Sequence, residues 1–181
     1  MMTVYLSHGL ESGPGALKIQ ALKGIAEKFD DCEPVVMDYR GMAEPPQRLN
    51  HLLATMAKRN ATPGSCVLAG SSLGGWLSAA VSAQQPLLGC FLLAPALGLP
   101  DYPETSPTIQ ARLTHIIHGW QDDVVLPGPV IERARLQRLS LRMVDDDHRL
   151  HASLDTILSD FERFLADCQA LDQQAIQASV S

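Results

Sequence analysis

Gly70-Ser71-Ser72-Leu73-Gly74 places a serine two residues from a glycine on either side, after the apolar run Cys66-Val67-Leu68-Ala69 and before a small-residue segment over 76–84. This G-x-S-x-G spacing suits a tight strand-to-helix turn that lifts a hydroxyl clear of a sheet at a helix N-terminus. The chemistry open to such a serine is attack on an acyl carbon. The backbone N–H of Leu73 would then face the developing oxyanion, aided by the positive end of the helix dipole. The same glycine-rich turn can also be a plain connector, and the pentapeptide alone does not separate the two. Phosphate cradling fits poorly, because no lysine completes G-x-x-x-x-G-K-[ST] and no G-x-G-x-x-G is present.

A serine hydroxyl needs a base to take its proton and an acid to orient that base, which after such a turn follow in the chain order acid, then histidine. Past the apolar run over 113–118 stands Gly119-Trp120-Gln121-Asp122-Asp123. Asp122 is the expected acid, and Asp123 is its neighbouring alternative or else a solvated loop carboxylate. Past the run over 139–144 stands Asp145-Asp146-Asp147-His148-Arg149-Leu150-His151. His148, nearer the strand end, is the expected general base; His151, one helical turn further on, is the alternative or a surface histidine. Three consecutive aspartates on a turn cannot all face one ion, so no metal site is expected, and Asp146 or Asp147 is expected to N-cap the last helix. His115 and His118 point to opposite faces of a strand and read as structural, with His118 bracketing the acid loop.

These residues must be carried by elements, and short β-rich runs alternate with helical-period segments from end to end, the pattern of a parallel sheet flanked by helices. Strands are expected over 4–8, 34–38, 66–69, 88–93, 113–118 and 139–144. Helices are expected over 16–29, from Pro45-Pro46 to near Pro63-Gly64, and over 76–84, 129–137 and 150–171. A Pro-rich connection over 95–108 is the only room for a lid, and Leu97, Leu99 and Tyr102 in it are the expected acyl-side wall. Trp76 and Trp120 read as packing. A single domain over 1–171 is expected, with 172–181 as a frayed Gln/Ser/Ala-rich tail.

Composition narrows the function classes. The 181 residues, 46% hydrophobic and 19% charged, fit one globular domain with a sizeable core. A net charge of −6 with 5% aromatic residues argues against nucleic acid as a partner. No apolar stretch approaches the roughly 20 residues of a membrane-spanning helix. Apolar alternation begins at Thr3 with no signal-like segment before it, so a cytoplasmic protein is expected. The four cysteines form no C-x-x-C pair and read as buried, inert thiols.

The opening His8-Gly9-Leu10-Glu11-Ser12-Gly13-Pro14 follows the first strand; in a hydrolase arrangement the loop after this strand would lie beside the serine turn, and Leu10 is then the expected source of a second oxyanion N–H. His8 would organise that loop; Glu11, Ser12 and Lys18 read as loop-bracing or surface residues. Together with Gly70-Ser71-Ser72-Leu73-Gly74-Gly75, His118-Gly119-Trp120-Gln121-Asp122, Asp147-His148 and Leu93-Ala94-Pro95-Ala96, this loop resembles the α/β-hydrolase superfamily, and within it the small, nearly lid-less YqiA-like esterases. The resemblance covers nearly the whole chain. It implies an α/β-hydrolase fold of about six mainly parallel strands in the order 2-1-3-4-5-6 without a large lid. It also implies a cofactor-free, metal-free Ser-His-Asp hydrolase of small-molecule carboxylic esters or thioesters, with Ser72 as nucleophile, Asp122 as acid and His148 as base. The chain lacks two N-terminal strands and any cap, so a shallow, open pocket is expected. Two other readings stand beside this one: an amidase or peptidase using the same residues, and a non-catalytic binding protein of the same fold.

Overall fold

The computed structural model describes residues 1–181, and its architecture follows from strands that are apolar on both faces. In β3 (Cys66–Ser71) every residue is buried, and Val67 and Ala69 face one core cluster while Leu68 faces the other. A strand that must be covered on both sides belongs in a parallel sheet with helices above and below. Six strands, β1 (Met2–Ser7), β2 (Cys32–Val36), β3, β4 (Leu87–Leu93), β5 (Ala111–Gly119) and β6 (Ser140–Val144), pair parallel throughout in the order β2-β1-β3-β4-β5-β6. Helices α1 (Leu17–Ala26) and α5 (Leu154–Val180) bury Ile19, Leu22, Ile157 and Phe161 on one face. Helices α2 (Pro45–Lys58), α3 (Leu73–Gln84) and α4 (Pro127–Gln137) bury Leu52, Trp76, Leu77 and Val130 on the other.

The expected strand order and fold class hold, while several boundaries move. β2 begins at Cys32 rather than 34, because register with β1, Met2 opposite Cys32 and Thr3 opposite Glu33, extends the ladder regardless of hydropathy. The last helix begins at Leu154, after a 3₁₀ turn over His151–Ser153, so His148 lies in a loop and not on a helix. The same shift removes the expected capping role of Asp146 and Asp147. Their carboxylates accept instead from Asp147 N–H and Ser153 Oγ, and from Arg149 N–H, folding the loop onto itself. Helix α5 continues to Val180 through a Gln/Ala-rich stretch of good helix formers with no Gly or Pro. Within it Asp172 is buried and accepts from Ser65 Oγ at 2.6 Å, while residues 173–181 are exposed. No helix is long and apolar enough to cross a membrane.

One close approach fixes where the serine turn sits. A Cβ on Gly74 would stand 2.0 Å from the Ser7 carbonyl oxygen at the end of β1, and one on Gly70 would stand 2.1 Å from the Gly74 carbonyl oxygen. Backbone meets backbone at both places, so neither neighbour can give way. Gly74→Ala is expected to cost about 3 kcal/mol or more, a fall in melting temperature of about 10 °C for a chain of this size. Gly64→Ala, with nothing within 4 Å of the new methyl, is expected to stay within about 0.5 kcal/mol. Thermal unfolding of the two variants side by side checks the pair, and equal melting temperatures would contradict this account of the turn.

Candidate active site

Strand β3 delivers its last residue into a turn that holds Ser72 at φ 56°, ψ −114°, a conformation that L-residues adopt at a cost of about 1–3 kcal/mol. Four backbone hydrogen bonds hold it there. Ser72 N–H donates to Leu93 O at 2.9 Å, and Ser72 O accepts from the N–H groups of Gly75, Trp76 and Ala96 at 3.0–3.1 Å. The side chain is thereby turned out of the sheet at the N-terminus of α3, and Leu73 starts that helix with its own side chain buried.

The loops after β5 and β6 are laced to each other by Trp120 N–H to Val144 O, Gln121 N–H to Asp146 O and Gln121 Nε2 to Asp145 Oδ1. Gly119 permits the approach, since a Cβ there would lie 2.3 Å from Asp146 O. The lacing brings Asp122 and His148 together. Asp122 Oδ2 accepts from His148 Nδ1 at 2.7 Å, and His148 Nε2 stands 3.1 Å from Ser72 Oγ. A carboxylate can only accept, so His148 carries its proton on Nδ1 and offers a bare Nε2 to the serine hydroxyl. The Asp122 side chain is fully buried, whereas that of His148 is 20% exposed. Asp122 Oδ1 accepts from Val124 and Val125 N–H at 3.0 and 2.8 Å, and His118 Nε2 lies 3.3 Å from Oδ2. Several donors thus replace the water that a buried carboxylate has lost. Chemically, such a hydroxyl–imidazole–carboxylate chain can move a proton off the hydroxyl and hold the imidazolium that results.

The neighbours that the sequence left open separate cleanly. Asp123 and His151 are exposed and line the cavity above the serine, but neither joins the hydrogen-bond chain. His118 is fully buried and donates from Nε2 to Val125 O, which leaves Nδ1 without a partner, so it brackets the acid loop as expected. The cavity, about 740 Å³ and open, is lined by Gly9, Leu10, Leu17, Ser72, Leu99, Tyr102, Val124 and His148 among others. Of the expected wall residues, Leu99 and Tyr102 line it, but Leu97 turns into the core at 1% exposure where the chain doubles back through Gly98 at φ 80°. Trp76 packs against Tyr102 and donates to Glu104 O, whereas Trp120 is 57% exposed and is not a packing residue. Burial pushes the Cys66 and Cys90 thiols up to about 11 and about 12, so neither is a thiolate nucleophile near neutral pH.

The loop after β1 lies against the serine turn: a Cβ on Gly9 would stand 3.6 Å from Ser72 Cβ. Ser12 braces the loop by accepting from Gly9 N–H, and Lys18 donates to Arg149 O at 2.5 Å. His8 is fully buried, accepting from Tyr39 N–H at Nε2 and donating from Nδ1 to Gly9 O at 2.9 Å. Arg48, which sequence reasoning did not single out, is 2% exposed and donates to Gly9 O, Leu10 O and Met42 O. The Leu10 N–H donates to no protein acceptor.

Two of these histidines carry a stability consequence. Burial holds both His8 and His118 below their ordinary value of 6.5. The unfolded chain takes up protons near pH 6.5 and the folded chain only at lower pH, so stability is full above about pH 6.5 and is lost as the pH falls below it. The expected slope reaches at most about 1.4 kcal/mol per pH unit for each histidine. Melting temperatures at pH 7.5, 6.5 and 5.5 check this, and His118→Gln is expected to flatten the acid side; a wild-type curve already flat there would contradict it.

Comparison with known proteins places the family and the fold. Residues 2–134 match the profile of an uncharacterised protein family, UPF0227. A crystal structure of a protein of the alpha/beta hydrolase superfamily from Xanthomonas campestris pv. campestris is 31% identical, with a TM-score of 0.82 over 92% of this chain and 99% of that one. A second Xanthomonas campestris protein, described as an a/b serine hydrolase without lid, is 19% identical with a TM-score of 0.73 over 90% and 79%. Est1E from Butyrivibrio proteoclasticus is 17% identical with a TM-score of 0.75 over 93% and 88%. No curated protein sequence matches the chain. The last two likenesses concern the fold alone.

Proposed function

The chain belongs to the UPF0227 family and has the α/β-hydrolase fold, and from that premise we propose that it is a serine hydrolase of carboxylic esters or thioesters. The observation that carries this reading is the continuous chain Ser72 Oγ, His148, Asp122, at 3.1 and 2.7 Å, opening into a cavity walled in part by Leu10, Leu99, Tyr102 and Val124. Ser72 Oγ attacks the acyl carbon as its proton passes to His148 Nε2, and the carbonyl electron pair moves onto oxygen. The oxyanion is received by the N–H groups of Leu10 and Leu73. Collapse of the tetrahedral species expels the alkoxide or thiolate, which takes the proton from His148, and leaves an acyl-Ser72 ester. Water, deprotonated by the same imidazole, then attacks that ester; as the second tetrahedral species collapses the acyl carbon–Oγ bond breaks, Ser72 Oγ takes the proton back from His148, and the acid is freed.

Asp122 fixes the tautomer that makes His148 a base and offsets the charge of the imidazolium. An ester or thioester suits the cavity, which is open and carries Leu10, Leu99, Tyr102 and Val124 on its walls to meet an acyl chain. The test is turnover of p-nitrophenyl esters of increasing acyl length, the matching thioesters and an anilide. Ester or thioester turnover without anilide turnover is expected. Anilide turnover equal to that of the esters would favour an amidase, and no turnover of any of them would favour a binding protein.

A further inference from the structure

Resting on the serine-hydrolase reading, we infer that Arg48 is a positioning residue for the oxyanion site: it holds the Gly9–Leu10 peptide so that the Leu10 N–H faces the cavity before substrate arrives. Arg48 is 2% exposed and forms no salt bridge. A buried arginine without a carboxylate partner is costly, and its charge must be satisfied by whatever it touches. Here it touches backbone: Nη1 donates to Gly9 O at 3.0 Å, Nη2 to Leu10 O at 3.2 Å and Nε to Met42 O at 2.7 Å, and the Tyr39 ring lies 5.3 Å from the guanidinium carbon. The fork geometry of arginine lets one side chain hold two successive carbonyls at once, as an ammonium does not.

The consequence follows from the planarity of the peptide bond. The carbonyl that Nη1 grips belongs to the same peptide as the Leu10 N–H, and in a trans peptide the two groups point in opposite directions. Drawing the Gly9 oxygen toward Arg48 therefore turns the Leu10 N–H away from it. No protein acceptor meets that N–H, and Leu10, Gly9, Ser72 and His148 all line one cavity. His8 Nδ1 donates to the same Gly9 oxygen at 2.9 Å, and His8 is itself fixed by Tyr39 N–H. Ser12 Oγ reaches the same oxygen at 3.4 Å, and these three donors on one carbonyl, one of them charged, polarise the amide and strengthen the N–H on its far side. Arg48 touches neither Ser72 nor His148, so it acts through the peptide and not on the reacting atoms.

Wild type, Arg48→Met and Arg48→Lys are compared on p-nitrophenyl butyrate, with rates counted per site titrated to completion by a fluorophosphonate so that misfolded protein is excluded; Ser72→Ala, which has no site to titrate, is counted per folded chain. Arg48→Met is expected to lower kcat about 100-fold, the usual effect of losing one oxyanion donor. KM should move less than about threefold, and the acid limb of the pH–rate profile should stay where it is, because the contacts of His148 are untouched. Arg48→Lys is expected to recover part of the loss, to about tenfold below wild type, since an ammonium is a point charge without the two-armed reach. A folded variant with kcat within threefold of wild type, or one altered in KM alone, would overturn the assignment. If Arg48→Met does not fold, Arg48→Lys decides by the same criteria. Wild-type turnover that survives in Ser72→Ala overturns the serine-hydrolase reading. Turnover lost in Ser72→Ala but unchanged in the Arg48 variants overturns the Arg48 assignment alone.

Discussion

Ser72→Ala is expected to lose about 10⁴-fold or more in kcat/KM toward whichever ester the wild type turns over best, with the fold intact. The size follows from the division of labour in the site. Removing the Oγ removes the only group in the cavity that is both bonded to an imidazole and held out of the sheet; what remains is binding and two N–H donors, which alone leave a small residual rate over water. Stability is expected to move little, because Oγ makes one hydrogen bond, to a partly exposed histidine. The check is steady-state kinetics on protein whose melting temperature matches wild type within a few degrees. A loss below tenfold would move the nucleophile elsewhere.

Asp122→Asn is the second large effect, again about 10⁴-fold in kcat, and the structure gives it a specific cause. Oδ1 accepts from two backbone N–H groups, those of Val124 and Val125. An asparagine keeps its carbonyl oxygen there and so presents its NH₂ to His148 Nδ1. That nitrogen must then accept, the proton moves to Nε2, and the imidazole can no longer take a proton from Ser72. Asp123→Asn, on the exposed rim, is expected to stay within about threefold of wild type. Measuring both variants on one ester separates the two neighbours, and a larger loss in Asp123→Asn would reverse their assignment.

Much of this was legible in residue types, for physical reasons that also mark where legibility stops. Ser72 stands out because the turn needs glycine at 70 and 74, and steric need leaves a trace in sequence. Asp122 and His148 could be ranked over Asp123 and His151 because distance from a strand end limits how far a side chain can wander from the site. Strand ends were less legible: Cys32 and Glu33 join β2 through pairing with β1, which no side-chain pattern announces. Arg48 left no trace, since a charged residue in the first turns of an amphipathic helix reads as solvent-facing and its partners are backbone carbonyls 38 and 39 positions away. Leu97 and Trp120 depart from the sequence expectation for one shared reason: whether a loop folds back into the core or stands out from it is set by backbone turns, such as that at Gly98, and hydrophobicity is blind to them.

Identification by mass spectrometry of the peptide modified when the folded protein is treated with a fluorophosphonate tests the central claim most directly, because it requires no knowledge of the substrate. The account predicts a single adduct on Ser72, absent in Ser72→Ala, strongly slowed in His148→Ala and formed at the wild-type rate in His151→Ala. Folded wild-type protein that forms no adduct, or forms it at another residue, would contradict it.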